Sequence, residues 1–160
     1  MISFNEKRVK YNMEIKDLRK TAYNNISLII GDILTLKEFD FENKLEIVKF
    51  RVKTEESLIK KCNKLNIKPE NCHDLIGVRF IVSNTDDCYE LCGIIKRNKN
   101  MEFVEVRDYI KTPQNNGPYR ALHLLVKYNN IPCEIQLLSH DMYNLAKGNH
   151  DKYKNGDFNC

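Results

Sequence analysis

The stretch LIGVRFIV, residues 75–82, constrains this chain more than any other. It is apolar at every position but Gly77 and Arg79. Its length suits a strand, and its near-continuous apolarity suits a central strand covered on both faces. Such a strand needs partners at both edges and further layers above and below it. Arg79 is the anomaly, because Arg is rarely buried without a partner. Gly77 shares its face and leaves room above the sheet. The pattern predicts something anionic or planar there, since guanidinium groups bind phosphate and stack on rings. A structural ion pair between Arg79 and Asp74 is the competing expectation.

The rest of the sequence supplies the neighbours. Residues 5–30 read as helical on a loose three-to-four spacing through Met13, Ile15, Leu18, Ala22, Ile26, Ile29 and Ile30, with a weak point at Asn24-Asn25. A short helical piece is expected near 37–44. EIVKFRV, ending at Val52, alternates like a strand. In TEESLIKKCNKL, Thr54 is placed as the N-cap of a helix with a Leu58, Ile59, Cys62 and Leu65 stripe. DDCYELCGIIKR reads as a helix, MEFVEVRDYI as a strand and KTPQNNGP as a loop. RALHLLVKYN and PCEIQLL read as an antiparallel pair turning at Asn129-Asn130. A last helix is expected from Ser139 to about Lys154, with Met142, Leu145, Ala146 and Tyr153 on one side. The expected fold is an α/β (α+β) domain with a mixed sheet of about five strands flanked by helices. We expect a single domain over 1–160, with N-terminal helices over 1–44 and a core over 45–154.

Bulk properties narrow the setting. With 160 residues, 42% apolar and 30% charged, the chain is expected to fold around one core rather than stay disordered. No apolar run approaches the roughly 18 residues that span a bilayer, and MISFNEKRVK does not read as a signal peptide. A cytoplasmic protein without a membrane partner is expected. Its net charge of +4 suits an anionic ligand without demanding one. Lys60-Lys61 reads as a solvated helix face. The six cysteines form no CxxC pair and read as reduced, mostly buried thiols. The dipeptides His73-Asp74, His140-Asp141 and His150-Asp151 read as chance, because a metal phosphohydrolase would need a large helical domain around them.

Several residues could carry chemistry. Arg51 and Lys53 share one face of a strand, and Ser57 falls in the first turn of the next helix, where free N–H groups and the dipole favour an anion. Together they form a candidate polyphosphate cradle; an exposed edge and a capping motif are the plain alternative. Glu134 and Gln136 alternate against Cys133, Ile135 and Leu137, so both reach the polar face of their strand. Glu134 with Asp74 would offer hard oxygen ligands to Mg²⁺. The loop ending in Gly117-Pro118 presents Tyr119, Arg120 and His123 near one another, and Tyr119 could stack on a nucleobase.

The four blocks RVKTEESLIKK, HDLIGVRFIV, RDYIKTPQNNGPYRALH and CEIQLLSHDMYNLAKGNHDKYK occur in an order that resembles the RelA/SpoT synthetase domain over about residues 45–154. The resemblance implies a nucleotidyltransferase-like sheet and transfer of pyrophosphate from ATP to a ribose 3′-hydroxyl. It implies that Arg51 and Arg79 sandwich adenine, that Lys53 and Ser57 hold phosphates, and that Asp74 binds Mg²⁺. Glu134 would join the metal site or help activate the acceptor hydroxyl, with Gln136 in support. Tyr119 would stack on the acceptor base and His123 lie near the acceptor phosphates, with Arg120 and Asn144 also on that side. The departures fall there too. Leu138-Ser139 stands where the family has an Arg-Thr pair, and Gln114 where it has a Lys. Pro118 is inserted before Tyr119, and Tyr143 stands where an Asn reads guanine. The leading acceptor is a guanine nucleotide, GDP or GTP, giving a (p)ppGpp-type alarmone, with a relative such as (p)ppApp left open. The alternatives are the 3′ end of tRNA, as for toxin-type small synthetases, and a catalytically silent nucleotide-binding regulator. Homo-oligomers and a neutralising antitoxin are the partners left open.

Overall fold

The computed structural model describes the backbone of residues 4–154 and the side chains of 14–148. Met13, Tyr153, the His150-Asp151 pair and Cys160 therefore have side chains outside the described residues. The chain begins with α1 (Phe4–Leu34), which runs unbroken through Asn24 and Asn25. The expected weak point is overridden by packing, since Ala22, Ile26, Ile29 and Ile33 on the same stripe are all buried. A single turn, α2 (Phe41–Lys44), is capped by the Asp40 side chain.

Next come β1 (Leu45–Val52) and α3 (Glu55–Leu65). Thr54 caps α3 by accepting from the Ser57 N–H, and Asn66, at φ 51°, ends it in the left-handed conformation. Then follow β2 (Ile76–Val82), α4 (Thr85–Lys96), β3 (Glu102–Asp108), β4 (Leu122–Tyr128), β5 (Ile131–Ser139) and α5 (His140–Lys154). Asn129 and Asn130, at φ 49° and 62°, form the tight β4–β5 turn, which needs two positive φ values.

The five strands lie in the order β1-β2-β5-β4-β3. Only β2 and β5 run parallel; the other three pairs are antiparallel. β2 is thus interior, but β5 is the strand at the centre. β2 is not covered on both faces either. Val78, Phe80 and Val82 are buried, whereas Gly77 and Arg79 on the opposite face are half-exposed.

One sheet face carries Val78, Phe80, Leu124, Ile135 and Leu137, which share a core with Ile29 and Ile33 of α1 and Leu91 and Ile95 of α4. Each fully buried aliphatic or aromatic side chain of this kind contributes about 1.5–3 kcal/mol. The other face is covered only at one end, where Ile81, Ala121 and Leu138 pack with Tyr143 of α5. The remainder of that face is mostly polar and open, with Leu125 its buried apolar residue. Cys62, Cys72, Cys88, Cys92 and Cys133 are buried free thiols. Among the described residues no helix is long and apolar enough to cross a membrane.

Candidate active site

The open face begins at β1. Its antiparallel register sets Arg51 opposite Gly77 and Lys49 opposite Arg79. The Arg51 stem lies across Gly77: a Cβ built there would sit 3.4 Å from Arg51 Cγ and Nε. A glycine at this point lets one guanidinium settle onto the sheet beside the other. A cleft of about 380 Å³ opens over them, with Lys49, Arg51, Gly77, Arg79 and Gln136 in its lining. Two flat cations over one hollow offer a planar aromatic ring two stacking surfaces.

Arg79 does not pair with Asp74. Its Nε and Nη2 donate to Gln136 Oε1 at 2.8 and 2.6 Å, because the parallel β2–β5 register sets the two residues side by side. Gln136 Nε2 donates in turn to Glu134 Oε1 at 2.6 Å. The other carboxylate oxygen of Glu134 lies 3.5 Å from His123 Nδ1. His123 Nε2 is 2.8 Å from the Tyr119 hydroxyl, and the Tyr109 ring meets the imidazole edge-on at 5.0 Å. His123 stands between the Glu134 carboxylate and the Tyr119 hydroxyl, one ring nitrogen toward each. A single polar line thus runs from Arg79 through Gln136, Glu134 and His123 to Tyr119.

Electrostatics differ along that line. Burial pushes the Glu134 pKa up, but hydrogen bonds from His123 and Gln136 pull it lower still, so it stays below the ordinary Glu value. Asp74 also opposes Glu134 ionisation, as one carboxylate does to a neighbour. The Tyr119 hydroxyl is raised, chiefly by burial.

Asp74 occupies the other corner of the site, just ahead of β2. Its two oxygens accept from Lys53 Nζ at 2.9 Å and Lys61 Nζ at 2.8 Å, and Cys72 Sγ lies 3.2 Å away. Burial pushes the Asp74 pKa up, yet the bonds from Lys61 and Lys53 overcome it and hold the group below the usual carboxylate range. Burial and the bond to Asp74 lift the Cys72 thiol to about 11, so it is protonated at neutral pH. Ser57 is exposed in the first turn of α3, its backbone N–H taken by the Thr54 cap.

The structure therefore brings together Arg51, Arg79, Gln136, Glu134, His123 and Tyr119 along one face, with Lys53, Ser57 and Asp74 at its edge. Arg120 turns inward to its own loop, where Nη1 donates to the Gly117 and Tyr119 carbonyls at 2.7 and 3.0 Å. Asn144 is exposed on α5, while Tyr143 is the residue buried beneath it. Leu138 is buried under α5 and Gln114 is exposed, so neither position places a cation on the open face.

Sequence reasoning missed Lys61, which is not merely part of a solvated face. It lies four residues after Ser57 on α3, and that i,i+4 spacing to a proposed anion ligand was the available signal. It also missed a second hollow lined by His73, Glu105, Arg107, His123 and Glu134, in which Arg107 is paired with Glu105. Asp74 and Glu134 are the two acids that could offer oxygen ligands to a metal, although both Asp74 oxygens accept from lysines here. Among the described residues no cluster of three or more His, Cys, Asp or Glu could hold one. That donor set fits Mg²⁺, which binds through one or two carboxylates and draws its other ligands from phosphate and water.

Comparison with known proteins adds the following. Residues 50–157 match the family model described as a region found in RelA/SpoT proteins. The GTP pyrophosphokinase YwaC of Bacillus subtilis (strain 168) is 37% identical over 91 residues, which cover 53% of this chain and 43% of that protein. A Spiroplasma citri guanosine-3′,5′-bis(diphosphate) 3′-pyrophosphohydrolase is 29% identical over 155 residues, 93% of this chain and 21% of that protein. The chain thus spans less than half the length of these curated relatives. The crystal structure of small alarmone synthetase 2 from Bacillus subtilis superposes with a TM-score of 0.71 at 30% identity, covering 92% of this chain and 82% of that one. Small alarmone synthetase 1 from the same organism, bound to its product pppGpp, gives 0.68 at 26% identity over 84% and 77%.

Proposed function

The chain belongs to the RelA/SpoT family, and on that premise we propose that it is a pyrophosphokinase that moves the β,γ-pyrophosphate of ATP onto the 3′-hydroxyl of a guanine nucleotide. The observation that carries this reading is the unbroken line Arg79–Gln136–Glu134–His123–Tyr119 beside the Lys53–Asp74–Lys61 triad. Two guanidinium groups, the Glu134 carboxylate and a lysine pair held by Asp74 are thereby carried on adjoining parts of the sheet, which supports this reading.

In this reading adenine lies between the Arg51 and Arg79 guanidinium groups. The triphosphate runs toward Lys53, Lys61 and the first turn of α3, and both lysines swing from Asp74 to phosphate oxygens. Asp74 and Glu134 would hold Mg²⁺, which would neutralise charge on the phosphates when bound. The acceptor base stacks on Tyr119, and its 3′-hydroxyl points at Glu134. The 3′-oxygen bonds to the β-phosphorus, the bond from that phosphorus to the α,β-bridging oxygen breaks, and AMP departs with that oxygen. Glu134 accepts the hydroxyl proton. Its lowered pKa makes it a weak base, so positioning and charge neutralisation supply most of the rate enhancement.

The acceptor is the half with a second reading. Leu138, which is buried, and Gln114, which is exposed, stand where the family resemblance leads one to expect an Arg and a Lys, so an acceptor other than a free guanine nucleotide, a tRNA 3′ end, is that second reading. The test is incubation with labelled ATP and either GDP, GTP or tRNA. AMP release that vanishes in Glu134→Gln supports the reaction, and the labelled product names the acceptor. No AMP with any acceptor would leave a nucleotide-binding regulator instead.

A further inference from the structure

The cationic wall of the cleft continues past the part that this reaction uses. Lys49 lies on the open face of β1, two residues beyond Arg51 and away from Lys53. Extended chain puts about 13 Å between the Cα atoms of Lys49 and Lys53. A nucleotide with its base at Arg51 and its phosphates at Lys53 therefore leaves Lys49 unserved.

Lys49 does not float free. Its Nζ sits 4.9 Å from the centre of the Tyr143 ring, and Lys147 Nζ sits 5.5 Å from the same ring. That ring is buried against Ile81, Ala121 and Leu138, so the platform under both ammonium groups is fixed. Among the described residues no carboxylate comes within 4.0 Å of Lys49. Lys49 foremost, with Lys147 and Arg79, lowers the pKa of the Tyr143 hydroxyl. Gathering like charges around one ring costs repulsion, and an anion seated among them relieves it.

We propose that Lys49 and Lys147, seated on the Tyr143 ring, form a second phosphate subsite at the α5 end of the cleft, for a phosphate outside the donor triphosphate. This rests on the proposed function, which gives the triphosphate to Lys53 and Lys61. The chemistry recognised is a phosphate group from either of two sources. One is the backbone of a nucleic-acid acceptor strand, and the other is the 5′-phosphate of a free nucleotide.

The test uses the full chain, the double variant Lys49→Gln/Lys147→Gln, Lys147→Gln alone and Lys53→Gln. Affinities are measured against NaCl for a short oligoribonucleotide with a free 3′-hydroxyl, for GTP and for a non-hydrolysable ATP analogue. The double variant should lose about tenfold in oligoribonucleotide affinity, and its log–log salt slope should flatten by about 0.7, the value for one neutralised phosphate on a single strand. Lys147→Gln should lose part of this, whereas Lys53→Gln should lose mainly the ATP analogue. The same loss for GTP in place of the oligoribonucleotide keeps the subsite and assigns it to a free nucleotide. Unchanged binding of all three probes by the double variant overturns the subsite, as does equal weakening of all three. Failure of the proposed reaction shows separately, as absence of AMP from ATP in the unaltered chain.

Discussion

Replacing Gln136 with Met cuts the polar line at its middle. Met is unbranched and of similar length, so the stem stays packed while the amide oxygen and nitrogen are lost. Three hydrogen bonds go with them, the two from Arg79 and the one to Glu134. A bond to a charged group is worth about 1.5–3 kcal/mol when buried. Arg79 and Gln136 are only half-buried, so water replaces part of the loss, and a cost of about 1–2 kcal/mol is expected for the three together. For a chain of this size that lowers Tm by roughly 3–6 °C. The sharper readout is pH. Gln136 is one of the donors that hold the Glu134 pKa down, so losing it raises that pKa. In the proposed reaction Glu134 must be ionised to accept the proton, so the acid limb of kcat/KM for AMP release should move to higher pH. KM for ATP also rises, because Arg79 loses the partner that orients it. An acid limb that stays in place or moves lower would refute the coupling of Gln136 to Glu134.

Asp74→Asn should be less stable than the unaltered chain at neutral pH. The folded pKa of Asp74 is depressed, so its stabilisation is full above the ordinary carboxylate pKa of about 4 and fades as pH falls through and below it. Denaturant melts of the two proteins should therefore converge on acidification, and a gap that widens instead contradicts the triad. Gly77→Val should raise KM for ATP severalfold with little change in Tm, since the added methyl groups displace the Arg51 stem that lies 3.4 Å from a Cβ there. Asn130→Ala should cost about 1 kcal/mol in a urea melt, because its φ of 62° is left-handed, whereas Asn130→Gly should be neutral or better. In a Cys160→Ser background the five buried thiols should react with a thiol reagent only as the chain unfolds.

The strand-and-helix order was legible because period two and period three-to-four alternate cleanly along the chain. EIVKFRV, LIGVRFIV and PCEIQLL each carry their own signal, and Thr54 and Asn129-Asn130 mark a helix start and a strand turn. The centre of the sheet was not legible. An apolar run reports that a strand is interior, not which interior strand holds the middle, and β5 takes that place only through its pairing with both β2 and β4. Nor could local pattern set the partner of Arg79. Asp74 is nearer in sequence, but the neighbour across the parallel register is Gln136. The helix through Asn24-Asn25 shows the same limit, since residue propensity is outweighed by a buried stripe that forms only against the sheet. Lys61 was discounted because exposed lysine runs usually carry nothing, and only the fold reveals the carboxylate beneath it.

The lone parallel pairing of β2 with β5 also has a consequence in time. Arg79 and Gln136 are separated by 57 residues, and the strands that intervene, β3 and β4, must be made before β5 can slot beside β2. Hairpin β4–β5 closes through a tight turn and forms fast, whereas docking it against β2 closes a long loop and comes late. The line from Arg79 to Glu134 exists only after that docking. If the proposed reaction holds, recovery of AMP release during refolding should therefore lag behind the first gain of secondary structure.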